Sequence, residues 1–391
     1  MPDDDLDERD FIFACDRDRK AADKKLKDSD TIVVGGFGSG LKVQDDALVV
    51  LSGQAYKDQA VKSPHKLYRA IHSIKRIVIL SGQGFITLAA LQWCVEQNIA
   101  LLVINEHAQL LLCLPDQESD AKLRRVQYRA VDNGKATSIV SELLHVRISQ
   151  QLAMLRKLPD HTIIEKRLVL TAGQKIIVKE NGRQVPGPFI WEPFEAALTK
   201  IFTLADTTTM MQYEATLSNL YWSAFVGIPI RWLKTDRRRI PPHWKEICPR
   251  LSPLSPYHNA MRAINPFHST LNFAYALLQG QCKQALLAYG FDTACGVLHS
   301  DKPNRDSLTF DLMECHKAMV DDLVLHLFTT RKLAKGDFTT LPSGECRMNP
   351  EFARFVTTTC RLPRASIDAS ARWLRSMFLS NHPAGSATRG S

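Results

Sequence analysis

Paired cysteines are missing from this sequence. None of the nine cysteines forms a Cys-x-x-Cys pair or a regular spacing, so the pattern matches no common zinc finger. Cys94 and Cys113 lie inside apolar runs, where a reduced cysteine behaves as a small hydrophobic residue. We therefore expect a reducing cytosol and not a secreted disulfide scaffold. The nine positions are Cys15, Cys94, Cys113, Cys248, Cys282, Cys295, Cys315, Cys346 and Cys360.

Long apolar runs are missing as well. No stretch of about eighteen apolar residues, as a membrane-spanning helix requires, occurs anywhere in the chain. The acidic N-terminus has no apolar core of the kind that marks a signal peptide. No internal repeat is present. These absences predict a cytoplasmic protein that uses no membrane.

The charge is uneven along the chain. The 391 residues carry a formal net charge of +9, but residues 1–30 hold eleven acidic against seven basic side chains. The remainder is therefore strongly basic, which favours a polyanionic partner. A basic protein without such a partner is the alternative, and charge alone does not decide between them.

Short β-rich runs dominate residues 31–115. Apolar segments punctuated by glycine predict strands at Thr31–Val34, Leu48–Leu51 and Ile77–Leu80, followed by a short buried helix over Ile86–Glu96. Two more strands are expected at 101–104 and 110–114. Gly35-Gly36-Phe37-Gly38-Ser39-Gly40 follows a strand, yet no helical pattern comes after it, so we interpret it as a turn and not as a dinucleotide-binding loop.

Helical periodicity takes over after residue 115. Apolar residues recur every three or four positions between Val140 and Leu155, which indicates one buried helix face. Lys175–Pro188 is the exception, a predicted hairpin with Asn181-Gly182 at its turn. The sequence thus predicts a multidomain α+β protein. Its parts are a flexible acidic tail (1–30), a β-rich domain (31–115), a larger all-α domain (116–380) and a flexible tail (381–391).

Four side chains in the helical part are candidate metal ligands. Asp311 and Glu314 are three residues apart, so on a helix they share a face roughly 5–6 Å apart. Glu214 and His299 add a further carboxylate and an imidazole. Such a set suits a hard divalent cation, Mg²⁺ or Mn²⁺. A solvated acidic face is the alternative. A zinc site from Cys295, His299, Cys315 and His316 is disfavoured because the spacing fits no common finger.

A basic and aromatic stretch follows the helix of Glu214. Lysine and arginine neutralise phosphates, and indoles can stack on frayed or single-stranded bases, so the stretch is a candidate DNA-binding surface. A solvated charge run is the alternative. The candidate DNA-binding residues are Arg231, Lys234, Arg237, Arg238, Arg239, Trp244 and Lys245. A second basic set near the C-terminus either extends this surface or coats a helix, and comprises Arg361, Arg364, Arg372 and Arg375.

These segments resemble the CRISPR-associated protein one family, the integrase and endonuclease of spacer acquisition. The resemblance covers most of residues 31–380. Glu214 with Tyr221-Trp222 is similar to the catalytic-glutamate helix of the family. The most specific stretch runs from Gly290-Phe291-Asp292 through His299 to Asp311-Leu312-Met313-Glu314.

The resemblance implies a site and a chemistry. Glu214, His299 and Glu314 would hold Mg²⁺ or Mn²⁺, with Asp311 beside them or as an alternative ligand. The 3′-hydroxyl of a short DNA fragment would attack a phosphodiester at a repeat boundary of a CRISPR array. Water in its place would give endonuclease activity. The sequence departs from the family pattern at Asn265-Pro266-Phe267-His268 and at Cys315-His316-Lys317-Ala318.

The resemblance also implies partners. They are double-stranded DNA with frayed or single-stranded ends, a second copy of the chain joined through the β-rich domain, and CRISPR-associated protein two. Two alternatives remain at this level: a transposon-borne integrase of the same family, and a DNA-binding scaffold whose acidic cluster is structural.

Overall fold

The computed structural model describes residues 31–36, 38–53, 65–69, 71–80, 83–105, 107–114, 120–158, 163–164, 169–171, 175–180, 183–250, 262–299, 301–303, 305–360 and 362–380. Of these, the residues between 163 and 189 and Thr358 are described by their backbone only. The chain is a mixed α+β protein of two compact units. One unit combines the described part of Met1–Pro115 with Met348–Arg361, and the other comprises Asp116–Arg347 and the described part of Leu362–Ser391.

Two four-stranded sheets form the first unit. The first sheet has the order β1-β5-β7-β8, in which β1, β5 and β7 are parallel and β8 is antiparallel to β7. The second has the order β4-β3-β2-β6. The strands are β1 (Thr31–Gly35), β2 (Gly40–Gln44), β3 (Ala47–Leu51), β4 (His65–Leu67), β5 (Arg76–Leu80), β6 (Phe85–Ile86), β7 (Ala100–Ile104) and β8 (Leu110–Leu114).

The local sequence explains these strands. The parallel strands β5 and β7 consist of near-continuous apolar residues, as strands buried on both faces require. Asp45 and Asp46 join β2 to β3 with φ of 52° and 57°, the left-handed conformation of a tight hairpin turn. The glycine-rich segment leads into β2 and not into a helix, so its interpretation as a turn is confirmed.

Helix α1 (Leu88–Glu96) connects β5 to β7. Thr87 caps its N-terminus, since Thr87 Oγ1 accepts a hydrogen bond from the Ala90 N–H at 3.2 Å. Trp93 and Cys94 lie in the core of the unit beside Leu101. The expected strand–helix–strand order is confirmed, although the helix begins two residues later than the apolar pattern predicts.

Helix α9 (Pro350–Thr359) also belongs to the first unit and contacts β1. From sequence alone, this segment is expected to belong to the second domain. Local periodicity identifies α9 as an amphipathic helix but carries no information about a strand more than 300 residues away. The structure groups it with that strand.

The second unit is mostly helical. Its helices are α2 (Ala121–Asp132), α3 (Lys135–Leu155), α4 (Glu192–Lys200), α5 (Thr207–Ser223), α6 (Pro266–Ala288), α7 (Ser307–Glu314), α8 (Lys317–Thr330) and α10 (Arg364–Leu379). Helix α6 is buried over most of its surface and contacts α7, α8 and α10. Helix α3 contacts α5, α7 and α8. Arg147 of α3 therefore lies between the ligand candidates on α5 and α7.

This unit is not all-α as the sequence predicts. An antiparallel sheet of order β12-β11-β10-β9 lies between α3 and α4 in the chain, and β13 (Phe338–Thr340) pairs with β14 (Cys346–Met348). The sheet strands are β9 (Ile163–Ile164), β10 (Val169–Thr171), β11 (Lys175–Glu180) and β12 (Arg183–Phe189). The predicted hairpin is confirmed, since Glu180 pairs with Arg183 across the turn. The turn residues themselves lie outside the described residues.

Two further observations bear on the sequence predictions. The eight cysteines that the structure describes are free, whereas Cys15 lies outside the described residues. No helix among the described residues is long and apolar enough to cross a membrane. Both tails, 1–30 and 381–391, also lie outside the described residues, so their predicted flexibility stays a prediction.

Candidate active site

Glu214 and Glu314 pair with one arginine of α3, and His299 lies beside Glu314. Arg147 Nη2 is 2.7 Å from Glu214 Oε1, and its Nη1 donates to Glu314 Oε2. His299 Nε2 lies 3.8 Å from Glu314 Oε1. Glu214 is in the middle of α5, His299 is in the loop before α7, and Glu314 is the last residue of α7. Packing of α3 against α5 and α7 therefore brings the three candidates together.

Asp311 has a different role from Glu214 and Glu314, because it binds the backbone of the loop that carries His299. Its fully buried carboxylate accepts hydrogen bonds from the N–H groups of Val297, Leu298 and His299, at 2.6, 3.1 and 2.9 Å. His299 Nδ1 lies 2.7 Å from Asp311 Oδ1. An ionised carboxylate only accepts, so Nδ1 carries the proton and Nε2 is directed at Glu314.

The loop needs glycine at position 296 to fold this tightly. A Cβ on Gly296 would lie 2.5 Å from the His299 carbonyl oxygen and 2.7 Å from Ser307 Cβ. Real side chains do not approach so closely, so any larger residue would push the loop away from Asp311. The glycine thus contributes to the orientation of the imidazole.

The two glutamates differ in charge environment. Burial opposes ionisation of Glu314, but Arg147 and Lys317 outweigh it and lower the pKa of this carboxyl to about 2. Lys317 Nζ lies 2.6 Å from Glu314 Oε1. For Glu214, burial dominates and raises the pKa, although Arg147 opposes the shift. Glu314 is the more firmly ionised of the two.

The donor set suits a divalent cation, but cationic side chains neutralise it here. Two carboxylates and one imidazole nitrogen match the preference of Mg²⁺ or Mn²⁺. Glu214 Oε1 is buried and receives no hydrogen bond from the described residues, in spite of the nearby guanidinium. Within the described ranges, no three His, Cys, Asp or Glu side chains stand in ready metal-binding geometry. Arg147 lies between the two carboxylates, and Lys317 pairs with the second.

Comparison with known proteins identifies the family. Residues 32–360 match the family described as CRISPR associated protein Cas1. The chain belongs to the Cas1 family.

Curated Cas1 proteins align over most of the chain. CRISPR-associated protein Cas1 3 of Methanobrevibacter ruminantium is 25% identical over 312 residues, 78% of this chain and 80% of the relative. CRISPR-associated endonuclease Cas1 2 of Rhodospirillum rubrum is 25% identical over 335 residues, 83% of each chain.

The fold is similar to that of solved Cas1 structures. A Cas1 protein from Thermotoga maritima superposes with a TM-score of 0.62 at 14% identity, over 91% of this chain and 99% of that one. A Cas6-RT-Cas1–Cas2 complex superposes with a TM-score of 0.60 at 15% identity, over 89% of this chain and 34% of the longer chain. At such identities the likeness concerns the Cas1 fold alone.

The predicted DNA-binding stretch of this Cas1 chain divides into exposed cations and buried aromatics. Its six charged candidates are exposed: Arg231, Lys234, Arg237, Arg238, Arg239 and Lys245. Trp244 is fully buried, and its Nε1–H donates to the Ile264 carbonyl at 2.9 Å. Trp232 stacks on it, with ring centroids 6.0 Å apart. Trp244 therefore offers no face for base stacking, which corrects that part of the prediction.

The second basic set coats α10 and pairs within the unit. Arg364 lies 3.4 Å from Asp368, one turn along the helix. Arg372 donates to the Tyr289 hydroxyl at 3.2 Å, and Arg375 lies 3.4 Å from Asp120. Arg361 lies outside the described residues. These contacts favour the alternative in which the second basic set coats a helix over the one in which it extends the DNA-binding surface.

The sequence does not predict Arg147 and Lys317 as parts of the site. Arg147 lies on the buried face of α3. It follows Leu143 by four residues and Leu144 by three, and it precedes the buried Gln151 by four. A charged residue on a buried helix face needs a partner of opposite charge, so an arginine there indicates a nearby carboxylate. Lys317 was visible only as a departure from the family pattern, and its proximity to Glu314 depends on the turn between α7 and α8.

Proposed function

We propose that this chain is a divalent-metal-dependent DNA integrase and endonuclease of CRISPR adaptation. The observation that carries the proposal is that Glu214 and Glu314, from two helices, meet at Arg147, while His299 Nε2 of the loop before α7 lies 3.8 Å from Glu314 Oε1. Membership of the Cas1 family supports it. So do the relatives named as endonucleases and the solved Cas1–Cas2 complex with the same fold.

The residues divide into holding and positioning roles. Glu214, Glu314 and His299 Nε2 would hold Mg²⁺ or Mn²⁺, which when bound supplies charge stabilisation for the attacked phosphoryl group. Asp311 positions the imidazole and is not itself a ligand in this proposal, because both of its oxygens already accept hydrogen bonds. Arg147 and Lys317 place positive charge where a phosphodiester would lie.

The reaction exchanges one phosphodiester for another. A 3′-hydroxyl of the incoming DNA forms a bond to phosphorus while the bond to the 3′ oxygen of the target strand breaks. If water takes the place of the hydroxyl, the outcome is strand cleavage. The proposed substrate is double-stranded DNA with frayed or single-stranded ends, inserted at a repeat boundary, and the basic stretch at 231–245 binds its backbone.

The proposed assembly is a homodimer that works with CRISPR-associated protein two. The β-rich unit would form the dimer, because it carries exposed apolar residues that a second copy could cover. Tyr68, Phe85 and Leu111 are such residues, 49%, 45% and 57% exposed. The helical unit would then carry the chemistry.

A strand-joining assay tests the proposed function. Labelled DNA with a free 3′-hydroxyl is incubated with a target and Mn²⁺, and joined product is measured. We expect joining by the natural chain and none by His299→Ala or Glu314→Ala. His326→Ala is the matched control, since His326 is an exposed histidine of the same unit. Undiminished joining by His299→Ala and Glu314→Ala would overturn the assignment.

One observation favours a second candidate function, a DNA-binding scaffold with a structural acidic cluster. Arg147 and Lys317 already neutralise the carboxylates, as an ion-pair network would. A scaffold would bind DNA with the same affinity with and without a metal chelator, and it would not join DNA ends. Joining that requires Mn²⁺ and Glu314 excludes it.

A further inference from the structure

A cavity of about 410 Å³ opens in the helical unit beside the segment 230–245. Small-molecule sites have volumes of about 300–1,000 Å³, so the cavity has the size of a ligand site. Its apolar wall is formed by Ile230, Trp232 and Ile240. None of the lining residues belongs to the candidate active site. An apolar wall with a positive rim suits an anion that also carries an apolar ring system. The remaining lining is cationic: Arg231, Arg237, Lys245 and Lys332.

The apolar wall is held in place by ring stacking and by the backbone. Trp232 Nε1–H donates to the Trp244 carbonyl at 2.9 Å, and the two indoles stack with planes 16° apart. Backbone bridges join Pro229 to Glu246 and Trp232 to Leu333. The wall is therefore formed before a ligand arrives, and its occupation costs little conformational entropy.

The rim keeps its positive charge. Arg239, which does not line the cavity, pairs with Asp236 and is neutralised. By contrast, no carboxylate of the described residues lies within ion-pairing distance of Arg231, Arg237 or Lys245. Arg231 Nη1 donates to two backbone carbonyl oxygens, at 3.3 and 3.4 Å, and these leave its charge in place. The cavity is thus a net cationic site.

The density of positive charge indicates the class of anion. Four cations around one cavity of this size match an anion that carries several charges on adjacent phosphates. DNA instead spreads single charges along its backbone, one per about 3.4 Å of each strand in a duplex. The bases of a duplex are also paired and stacked, so duplex DNA on the rim leaves the apolar wall uncovered. A nucleoside triphosphate brings a chain of charges and a planar ring system together in one molecule.

We propose that the cavity binds a free nucleoside triphosphate. Its base packs against Ile230, Trp232 and Ile240, and its phosphates pair with the cationic rim. The bound nucleotide occupies cations that DNA also uses, a consequence that rests on the DNA-binding role proposed above for residues 231–245. The nucleotide therefore competes with DNA. At ten times its own dissociation constant, it raises the apparent dissociation constant of DNA about tenfold.

Titration calorimetry of ATP into the full-length chain, in metal chelator, tests the cavity. We expect ATP to bind the natural chain. Arg237→Glu/Lys245→Glu should weaken that binding by about tenfold or more, because it reverses two charges of the rim. Lys122→Glu/Arg125→Glu is the matched control, since it makes the same change of net charge at exposed positions of α2, and it should bind ATP like the natural chain. No heat of binding to the natural chain, or equal weakening in both double variants, would overturn the proposal.

Inorganic tripolyphosphate separates the contribution of the wall from that of the rim. It carries at least the charge of ATP without the base, so we expect it to bind the natural chain about tenfold more weakly than ATP. Ile240→Trp, which fills the cavity with a larger side chain, should lose the preference for ATP and keep the weak binding of tripolyphosphate. Equal affinities of ATP and tripolyphosphate for the natural chain would overturn the proposal, and this comparison requires no variant. A single-stranded oligonucleotide that binds where ATP gives no heat, and that Ile240→Trp no longer binds, would assign the cavity to an unpaired DNA base and overturn the proposal as well.

Competition with blunt duplex DNA is the second measurement, made by fluorescence anisotropy in metal chelator. ATP should weaken DNA binding by the natural chain and should leave DNA binding by Ile240→Trp unchanged. ATP that binds the natural chain without weakening DNA binding would overturn the competition and place the DNA on another surface. DNA binding that depends on Arg237 and Lys245, while ATP gives no heat, would support the DNA surface and overturn the nucleotide site. The failure of the nucleotide site and the failure of the proposed DNA surface are therefore distinguishable.

Discussion

At the scale of single residues, the site depends on how Asp311 and Arg147 are used. The Asp311 oxygens accept hydrogen bonds from three backbone N–H groups and from one imidazole, so Asp311 orients His299. Arg147 touches both glutamates and so occupies the centre of the site. The sequence predicts the four carboxylate and imidazole candidates. Spacing alone does not distinguish Asp311 from Glu314, and the preference for Glu314 as a ligand comes from the family resemblance. The distinction depends on which carboxylate the 296–299 loop folds around.

Asp311→Asn should lower strand joining by about 10–100-fold, the usual effect of losing a group that orients a metal-binding imidazole. An amide cannot accept every hydrogen bond that the carboxylate accepts, so His299 loses its orientation. DNA affinity in metal chelator should stay unchanged, as should joining by Asp322→Asn, a control on the neighbouring helix. A parallel loss of DNA affinity and joining would indicate that the unit has misfolded instead.

Arg147→Met should destabilise the helical unit by about 3–5 kcal/mol, since it leaves buried carboxylates without their shared cation. Mn²⁺ should then raise the thermal unfolding temperature of this variant more than that of the natural chain, because a divalent cation can replace the lost charge. Arg156→Met, at an exposed ion pair with Glu195, is the matched control. An identical response to Mn²⁺ in both variants would contradict a metal site at these glutamates.

At the scale of elements, three helices meet on one buried aspartate. Tyr221 of α5 and Tyr275 of α6 donate to Asp321 of α8, at 2.9 and 2.5 Å. Burial raises the pKa of Asp321 to about 6, although both tyrosines favour its charged form. This junction holds the helix of Glu214 in place, and neither periodicity nor motif spacing pointed to it.

The pH dependence of stability should reveal this junction. A carboxyl with a raised pKa favours the folded state below its unfolded pKa of about 3.9, and that contribution is lost as the pH rises through about 6. Urea unfolding should therefore give a free-energy difference between the natural chain and Asp321→Asn that changes by roughly 2 kcal/mol between pH 4 and pH 7. Asp322→Asn, which removes a partly exposed charge paired with Lys157, should show no such change. A difference for Asp321→Asn that is constant with pH would contradict the raised pKa.

The helices and strands differ in how much of the sequence signal that predicts them lies within a few neighbouring residues. Strands β1, β3, β5, β7 and β8 and helix α1 follow from apolar runs, glycine turns and a threonine cap, and these signals lie within a few residues. Strands β9, β13 and β14 have two or three residues each, too few for a periodicity to be recognised. The interleaving of Trp232 and Trp244 with cations favours a stacking surface in sequence. In the structure the two indoles stack on each other in the core, and their N–H groups donate to the backbone carbonyls of Trp244 and Ile264. Only the tertiary fold separates these two outcomes.

At the scale of the whole molecule, the positive charge is the property on which the proposed DNA binding depends. Binding through phosphate contacts should weaken linearly on a plot of log affinity against log salt concentration. Arg237→Ala and Lys245→Ala should each reduce that slope by about one. Arg239→Ala should change it less, because Asp236 already neutralises Arg239. A slope that is unaffected by Arg237→Ala and Lys245→Ala would place the DNA on another surface.

The central claim is that Glu214, His299 and Glu314 hold a divalent cation, and Mn²⁺ titration calorimetry on the full-length protein tests it most directly. We expect the natural chain to bind Mn²⁺, Glu214→Ala to lose that binding, and Glu195→Ala, an exposed glutamate of the same unit, to retain it. No heat of binding to the natural chain, or equal affinity in Glu214→Ala, would contradict the claim.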